Sequence, residues 1–302
     1  MSKPKRALKT TGLAAAGALA YGALVAPRRV QVHRYSVALA GLPPACAGLR
    51  VVQISDLHLS PLFRERALRR VVRLANALEP DAIVLTGDFA SYHSLPSVIA
   101  YAPGLAHLRA PLGTFACLGN HDYWEGAAAI RRAIGAAGVR VLVNESLRLR
   151  EGLWLAAVDD LMSGRPDLAR AAAGIPDDDA VILLSHNPTV LPQVADRPWL
   201  VLAGHTHGGQ LALPFLGPRG TMRIPGIRHF AFLYEASGCR VHGGCLESVA
   251  THRYPAGWYR EGRALLYVSR GVGTGEAFPV RLNCRPEIAR FTLIRRKDEE
   301  PE

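Results

Sequence analysis

The chain has 302 residues, 49% of them apolar and 20% charged, and carries a formal charge of +11. Such a composition excludes a disordered or fibrous chain and is enough for one large globular domain or two small ones. The positive excess sits largely in Lys3, Lys5, Arg6, Lys9, Arg28, Arg29 and Arg34, a stretch without an acid; the rest is too nearly balanced to offer a basic groove, so no nucleic-acid partner is expected.

Residues 1–30 read as a signal anchor or signal peptide. The uncharged, Ala- and Leu-rich run from Thr10 to Ala26 lies between basic flanks, the pattern of an export or membrane segment. It is at the short end for a span, Ala18-Leu19-Ala20 resembles a cleavage site, and the competing reading is an ordinary N-terminal helix. Residues 31–48 read as a connector, with Pro and Gly frequent from Gly41 onward.

From Leu49 the pattern becomes regular. An apolar strand over Leu49 to Ser55 ends in Asp56-Leu57-His58, and a helix follows over Glu65 to Leu78, with Leu68, Val71, Val72 and Ala75 at helical spacing. A second strand, Ala82 to Thr86, ends in Gly87-Asp88. Ser97 to Leu108 reads as helical, and a third strand, Gly113 to Leu118, ends in Gly119-Asn120-His121-Asp122. Another helix is expected over Ala127 to Ala137, then two or three short strands within Arg140 to Ala157. The apolar run Ala180 to Leu184 ends in Ser185-His186-Asn187, and Leu200 to Ala203 in Gly204-His205-Thr206-His207. Leu211 to Gly262 reads as a long loop region with short strands, Ala264 to Ser269 and Ile288 to Ile294 as closing strands, and 297–302 as a charged tail. Strand, polar loop and helix in alternation mean parallel strands with helical crossovers, whose ligand crevice lies at the carboxyl ends of the strands.

The chemistry-bearing residues fall at those ends. Asp56, His58, Asp88, Asn120, His186, His205 and His207 combine carboxylate oxygens, imidazole nitrogens and one amide oxygen, a mixed donor set suited to Mn, Fe or Zn rather than to calcium or a thiolate site. There are more donors than one ion with an open position needs, so two divalent ions sharing a carboxylate are expected. The five cysteines form no C-x-x-C pair, Cys117 reads as a core residue, and Cys239 and Cys245 are close enough in sequence to pair in an oxidising compartment.

In their order, Asp-x-His, Gly-Asp, Gly-Asn-His-Asp, a single His and Gly-His-x-His resemble the calcineurin-like metallophosphoesterase superfamily. Gly204 to Gln210, Tyr267 to Thr274 and Pro279 to Glu287 are similar to its bacterial, membrane-linked phosphodiesterase branch typified by YkuE and YaeI. The resemblance covers about residues 49–294. It implies an α/β domain over 49–296, a β-sandwich of two mixed sheets flanked by helices, where the alternation by itself would equally allow one doubly wound sheet. It implies that Asp56, His58 and His207 hold one metal, that Asn120, His186 and His205 hold the other, and that Asp88 bridges them. His121 would be the catalytic histidine, and a water activated between the metals the nucleophile. The chain departs from the family at Ser91, where many relatives carry an acid that orients that histidine; Asp122 or a backbone carbonyl is the substitute. The implied activity is hydrolysis of a phosphodiester, pyrophosphate or phosphomonoester, with lipid-linked envelope precursors as the expected substrates and a bacterial membrane or exported location. A nuclease or nucleotide phosphodiesterase and a non-catalytic metal-stabilised scaffold are the alternatives. Tyr123 and Trp124 read as packing residues or substrate platforms, and His93 as a residue able to touch substrate.

Overall fold

The apolar runs pair into two six-stranded sheets in a computed structural model that describes residues 16–210, 212, 253–274 and 280–296. The first sheet contains β1 (Gln31–Leu39), β2 (Arg50–Ile54), β3 (Ala82–Thr86), β4 (Thr114–Cys117), β5 (Val139–Val141) and β12 (Glu287–Arg295), in the order β1-β12-β2-β3-β4-β5. The second contains β6 (Glu145–Arg150), β7 (Leu153–Ala157), β8 (Ala180–Leu184), β9 (Leu200–Ala203), β10 (Gly257–Glu261) and β11 (Ala264–Val268), ordered β10-β11-β9-β8-β7-β6. β2 to β5 run parallel, as do β7, β8, β9 and β11, while β2 with β12, β6 with β7 and β10 with β11 are antiparallel. Both sheets are therefore mixed.

Strand periodicity of two explains how the sheets stack. Val51, Val84, Phe115 and Phe291 of the first sheet face Leu155, Ile182, Leu202 and Tyr267 of the second in one apolar layer. Their alternate neighbours Val52, Ile54, Ile83 and Leu85 point outward, against α2 (Glu65–Asn76), α3 (Leu95–Tyr101) and α5 (Ala127–Ala136) through Leu68, Val72, Val98, Ile130 and Ile134. On the far side, Val181, Leu183, Val201 and Leu266 pack against Val190, Leu191 and Val194 of a 3₁₀ segment, Pro188–Val194. Each such side chain contributes about 1.5–3 kcal/mol on burial. The architecture is an α/β/β/α sandwich, the two-sheet alternative rather than one doubly wound sheet.

Two expectations are corrected. Residues 31–48 are not a connector throughout, because β1 pairs in parallel with β12 along nine positions. β1 is an edge strand whose Arg34, Ser36 and Ala38 face solvent, so it lacks the continuous apolar run of a buried strand, and its partner lies at the opposite end of the chain. The helix expected over Ser97 to Leu108 is split, α3 giving way to a 3₁₀ segment, Ala102–His107. Pro103 has no N–H to continue the α-helical ladder.

At the N-terminal end, residues 16–24 form a helix, α1. Among the described residues no helix is long and apolar enough to cross a membrane. Cys117 is a buried core residue; Cys239, Cys245 and the tail 297–302 lie outside the described residues.

Candidate metal centre

β2, β3, β4, β8 and β9 all deliver their C-terminal residues to one edge of the sandwich. There the backbone leaves its ordinary conformation: Asp56, His58, Asp88, His205 and His207 all have left-handed φ, between 45° and 73°. Positive φ is uncommon for residues other than Gly and costs free energy, so these side chains are aimed by tertiary contacts and not by local preference.

The aim is convergent. Asp56, His58, Asp88 and His207 form one cluster, and Asp88, His186 and His205 a second, each with its donor atoms within 4.8 Å of one another. In the first, Nε2 of His58 is 2.9 Å from Nε2 of His207, which is 3.5 Å from Oδ1 of Asp56. In the second, Nε2 of His186 lies 3.2 Å from Oδ1 of Asn120, 3.2 Å from Nδ1 of His205 and 3.2 Å from Oδ2 of Asp88. The same Oδ2 is 3.6 Å from Nε2 of His58, so Asp88 stands between the two. All seven residues expected from the sequence meet at this edge. These donors suit a pair of divalent ions of borderline hardness.

Electrostatics in the metal-free chain agree. Burial pushes the imidazoles of His58 and His205 down to about 3 and that of His207 well below its usual value, so they are neutral, as ligands must be. Burial and then neighbouring charges act on His186 in opposite senses; contact with Asp88, with Asp56 and Asp160 behind it, wins and holds His186 at about 10. Burial likewise opposes the charge on Asp88, yet His186, His121 and His58 keep it well below the usual carboxylate range. Asp56, raised chiefly by burial, stands at about 6.

A second layer holds the donors. Nδ1 of His186 donates to the Thr86 carbonyl at 2.7 Å, which turns its Nε2 toward the cluster. The Gln53 amide bridges the sheets by donating to Thr86 Oγ1 and to the Ala203 carbonyl, both at 2.9 Å. The His205 backbone N–H donates to Asp56 Oδ1 at 3.0 Å, and that of His121 to Asp88 Oδ1 at 3.0 Å. At Gly204 a Cβ would lie 2.5 Å from Asp56 Oδ2 and nearer still to Ser55 Oγ, so the glycine of Gly-His-x-His makes room for a carboxylate from another strand.

A model of the calcineurin-like phosphoesterases matches residues 49–209. The chain belongs to that family. Over 297 residues it is 33% identical to the uncharacterised metallophosphoesterase YkuE of Bacillus subtilis, covering 95% of this chain and 93% of that one. It is 30% identical over 256 residues to the phosphodiesterase YaeI of Escherichia coli (82% and 83%), and 29% over 290 residues to the UDP-2,3-diacylglucosamine pyrophosphatase LpxG of Chlamydia muridarum (80% and 82%). The protein is thus a metallophosphoesterase, a hydrolase of phosphate esters that works with two divalent ions.

In this phosphoesterase the residues around the ligands are disposed as follows. The His121 ring stands 4.9 Å from that of His58, next to the first cluster. Asp122, expected to orient it, accepts with its two oxygens from the backbone N–H groups of Ala90 (3.0 Å) and Gly119 (2.9 Å). These bonds tie the β3 loop to α4 (Asn120–Glu125). Burial and the nearby Asp88 push Asp122 up to about 7. His93 is exposed, with its N–H given to Glu125.

Sequence reasoning missed Arg281. It is fully buried, donates to the carbonyls of Gly273, Arg270 and Cys284, and places Nη2 3.3 Å from His207 Nδ1. It clamps the turn 271–273, whose Gly273 N–H donates to the Asp56 carbonyl at 2.8 Å. The stretch Pro279 to Glu287 was the available signal, but it holds two arginines, Arg281 and Arg285, and the sequence reveals neither burial nor partners for either.

Proposed function

We propose that this phosphoesterase hydrolyses a phosphodiester or pyrophosphate bond of a lipid-linked envelope precursor, at a bacterial membrane or beyond it, with residues 1–30 as signal anchor or signal peptide. In this reading Asp56, His58 and His207 hold one ion, Asn120, His186 and His205 the other, and Asp88 serves both. When bound, the two ions (Mn, Fe or Zn) would supply Lewis acidity toward a phosphoryl oxygen and would make a bound water more acidic.

The protein's own share is positioning and proton transfer. The ligands' left-handed backbone and the carbonyl that orients His186 preorganise the centre, so little reorganisation accompanies reaction. His121, beside the ions and outside their ligand set, hydrogen-bonds a non-bridging oxygen or delivers a proton to the leaving oxygen, a contribution of about 10²- to 10⁴-fold. Asp122 supports His121 by fixing the Gly119 turn from which α4 starts.

The observation that carries hydrolysis is the convergence of the two clusters on Asp88. The lipid substrate is supported by the name of the Chlamydia relative and by α1. Leu19 and Leu24 of α1 are 49% and 59% exposed, while Gly22 offers its carbonyl to the Arg281 N–H at 2.9 Å. An apolar surface thus adjoins the very residue that reaches His207.

Purified protein loaded with Mn should cleave bis-p-nitrophenyl phosphate, and should cleave a diacylated sugar nucleotide in detergent micelles faster than its deacylated counterpart. Inertness with Mn, Fe, Zn and Co would remove the hydrolytic reading, and preference for the deacylated compound would remove the lipid one. His121→Ala should keep its metal and lose most turnover, whereas Asp88→Ala should lose metal. Equal metal loss in the two variants would strip His121 of its role.

A further inference from the structure

His121 serves as a proton donor only with its ring held in one orientation, and the sequence pattern gave that task to an acid at position 91 or to Asp122. Position 91 is a serine, and both oxygens of Asp122 are engaged by backbone N–H groups. Aromatic rings lie against the imidazole. The ring of Trp124 lies 4.6 Å from it at 55°, and that of Tyr92 4.7 Å from it at 68°. Tyr92 and Trp124 stack on each other at 5.8 Å, nearly parallel at 15°. His58 closes a third side edge-on at 4.9 Å.

This corner is built as one unit. His121 and Trp124 stand three residues apart on α4 and so share a face. Tyr92 comes from the loop after β3, and the same helix fastens that loop on both sides of it. Before Tyr92, Asp122 accepts from the Ala90 N–H. After it, the Glu125 carboxylate accepts from the N–H groups of His93, Ser94 and Leu95 at 2.7, 3.0 and 3.4 Å. Ser94 Oγ also accepts from the Ser91 N–H at 2.7 Å, and His93 is held in a left-handed conformation at φ 51°. These bonds couple the loop that carries Tyr92 to α4.

We infer that Tyr92 and Trp124 are positioning residues whose rings hold the His121 imidazole toward the leaving oxygen, in a chain that has serine rather than an acid at position 91. Edge-to-face and tilted contacts of this kind are directional, and two of them together bias the ring toward one orientation by up to roughly 5- to 150-fold. The inference rests on the reading of His121 as proton donor.

The test compares full-length, Mn-loaded enzyme with Trp124→Leu, Tyr92→Leu, Trp124→Phe, Tyr92→Phe and His121→Ala, on phosphodiesters whose leaving groups run from p-nitrophenol to simple alcohols. A good leaving group departs without a proton and a poor one does not. The leucine variants should therefore lose kcat about tenfold or more on alkyl leaving groups and far less on p-nitrophenol, with KM and metal content unchanged. The phenylalanine variants, which keep a ring, should recover most of the loss and serve alone if a leucine variant does not fold; a Tyr92→Phe/Trp124→Phe enzyme already as impaired as His121→Ala would overturn the inference. So would a loss equal across leaving groups, a loss confined to KM, or a loss of metal. If His121→Ala shows the leaving-group dependence and the leucine variants do not, the inference fails and the role of His121 stands. If His121→Ala shows none, both fail.

Discussion

Gly119 ends the turn after β4 where it meets the turn after β3, and replacing it by alanine tests the geometry of the centre with one methyl group. Its backbone is extended, at φ −112° and ψ 176°, a conformation any residue adopts, so alanine meets only a shortage of space. A Cβ there would lie 2.7 Å from the Asp88 backbone nitrogen and 2.9 Å from Cδ2 of His186, and nearer still to Asp88 Oδ1. Either the two turns separate, an overpacking cost of about 1–3 kcal/mol, or the Asp88 carboxylate swings away and both clusters lose their common member. Gly135→Ala is the matched control: it is an exposed residue of α5 with nothing within 4 Å of its added Cβ, and alanine there should stabilise by about 0.4–1 kcal/mol. Urea unfolding of the chelated proteins and metal content by plasma mass spectrometry after Mn loading read both effects. Gly119→Ala should be less stable and bind fewer than two ions per chain, while Gly135→Ala is more stable and binds both. A Gly119→Ala protein equal to the parent in stability and metal would refute the placement of Asp88.

Other perturbations follow from the same geometry. Arg281→Leu leaves several buried carbonyls without their donor; it should cost at least about 1–3 kcal/mol in urea unfolding, with Arg281→Lys intermediate, and a cost below about 1 kcal/mol would show the clamp to be dispensable. Because His186 stands at about 10 without metal, it is protonated through neutral pH and must lose that proton to become a ligand. Metal affinity should therefore rise with pH toward 10, and calorimetry at pH 8 in buffers of different ionisation heat should detect about one proton released per chain; no release would contradict the Asp88–His186 pairing. Metal at 100 times its Kd should stabilise the fold by about 2.7 kcal/mol, measurable as a chelator-dependent drop in Tm that Asp88→Ala abolishes.

How much of this was legible in the sequence follows from which contacts are local. Buried strands announce themselves as short apolar runs, and the residue at which a run stops lies at the sheet edge whatever its partner strand. Hence β3, β8 and β9 match their expected bounds, and all seven donors could be named before any partner was known. Edge strand β1, the use of Asp122, the burial of Arg281 and the Tyr92–Trp124 corner left no such trace. Each depends on a residue far along the chain: β1 on β12, Asp122 on Ala90, Arg281 on His207, Trp124 on Tyr92.

The sequence by itself determined the chemistry available, since side-chain type decides what can ligate a metal or carry a proton, and apolar spacing decides which residues end a strand. Only the tertiary structure decided which donors meet, which carboxylate is engaged by the backbone and which rings meet the histidine. Those are distances between segments remote in the chain, and sheet packing sets them.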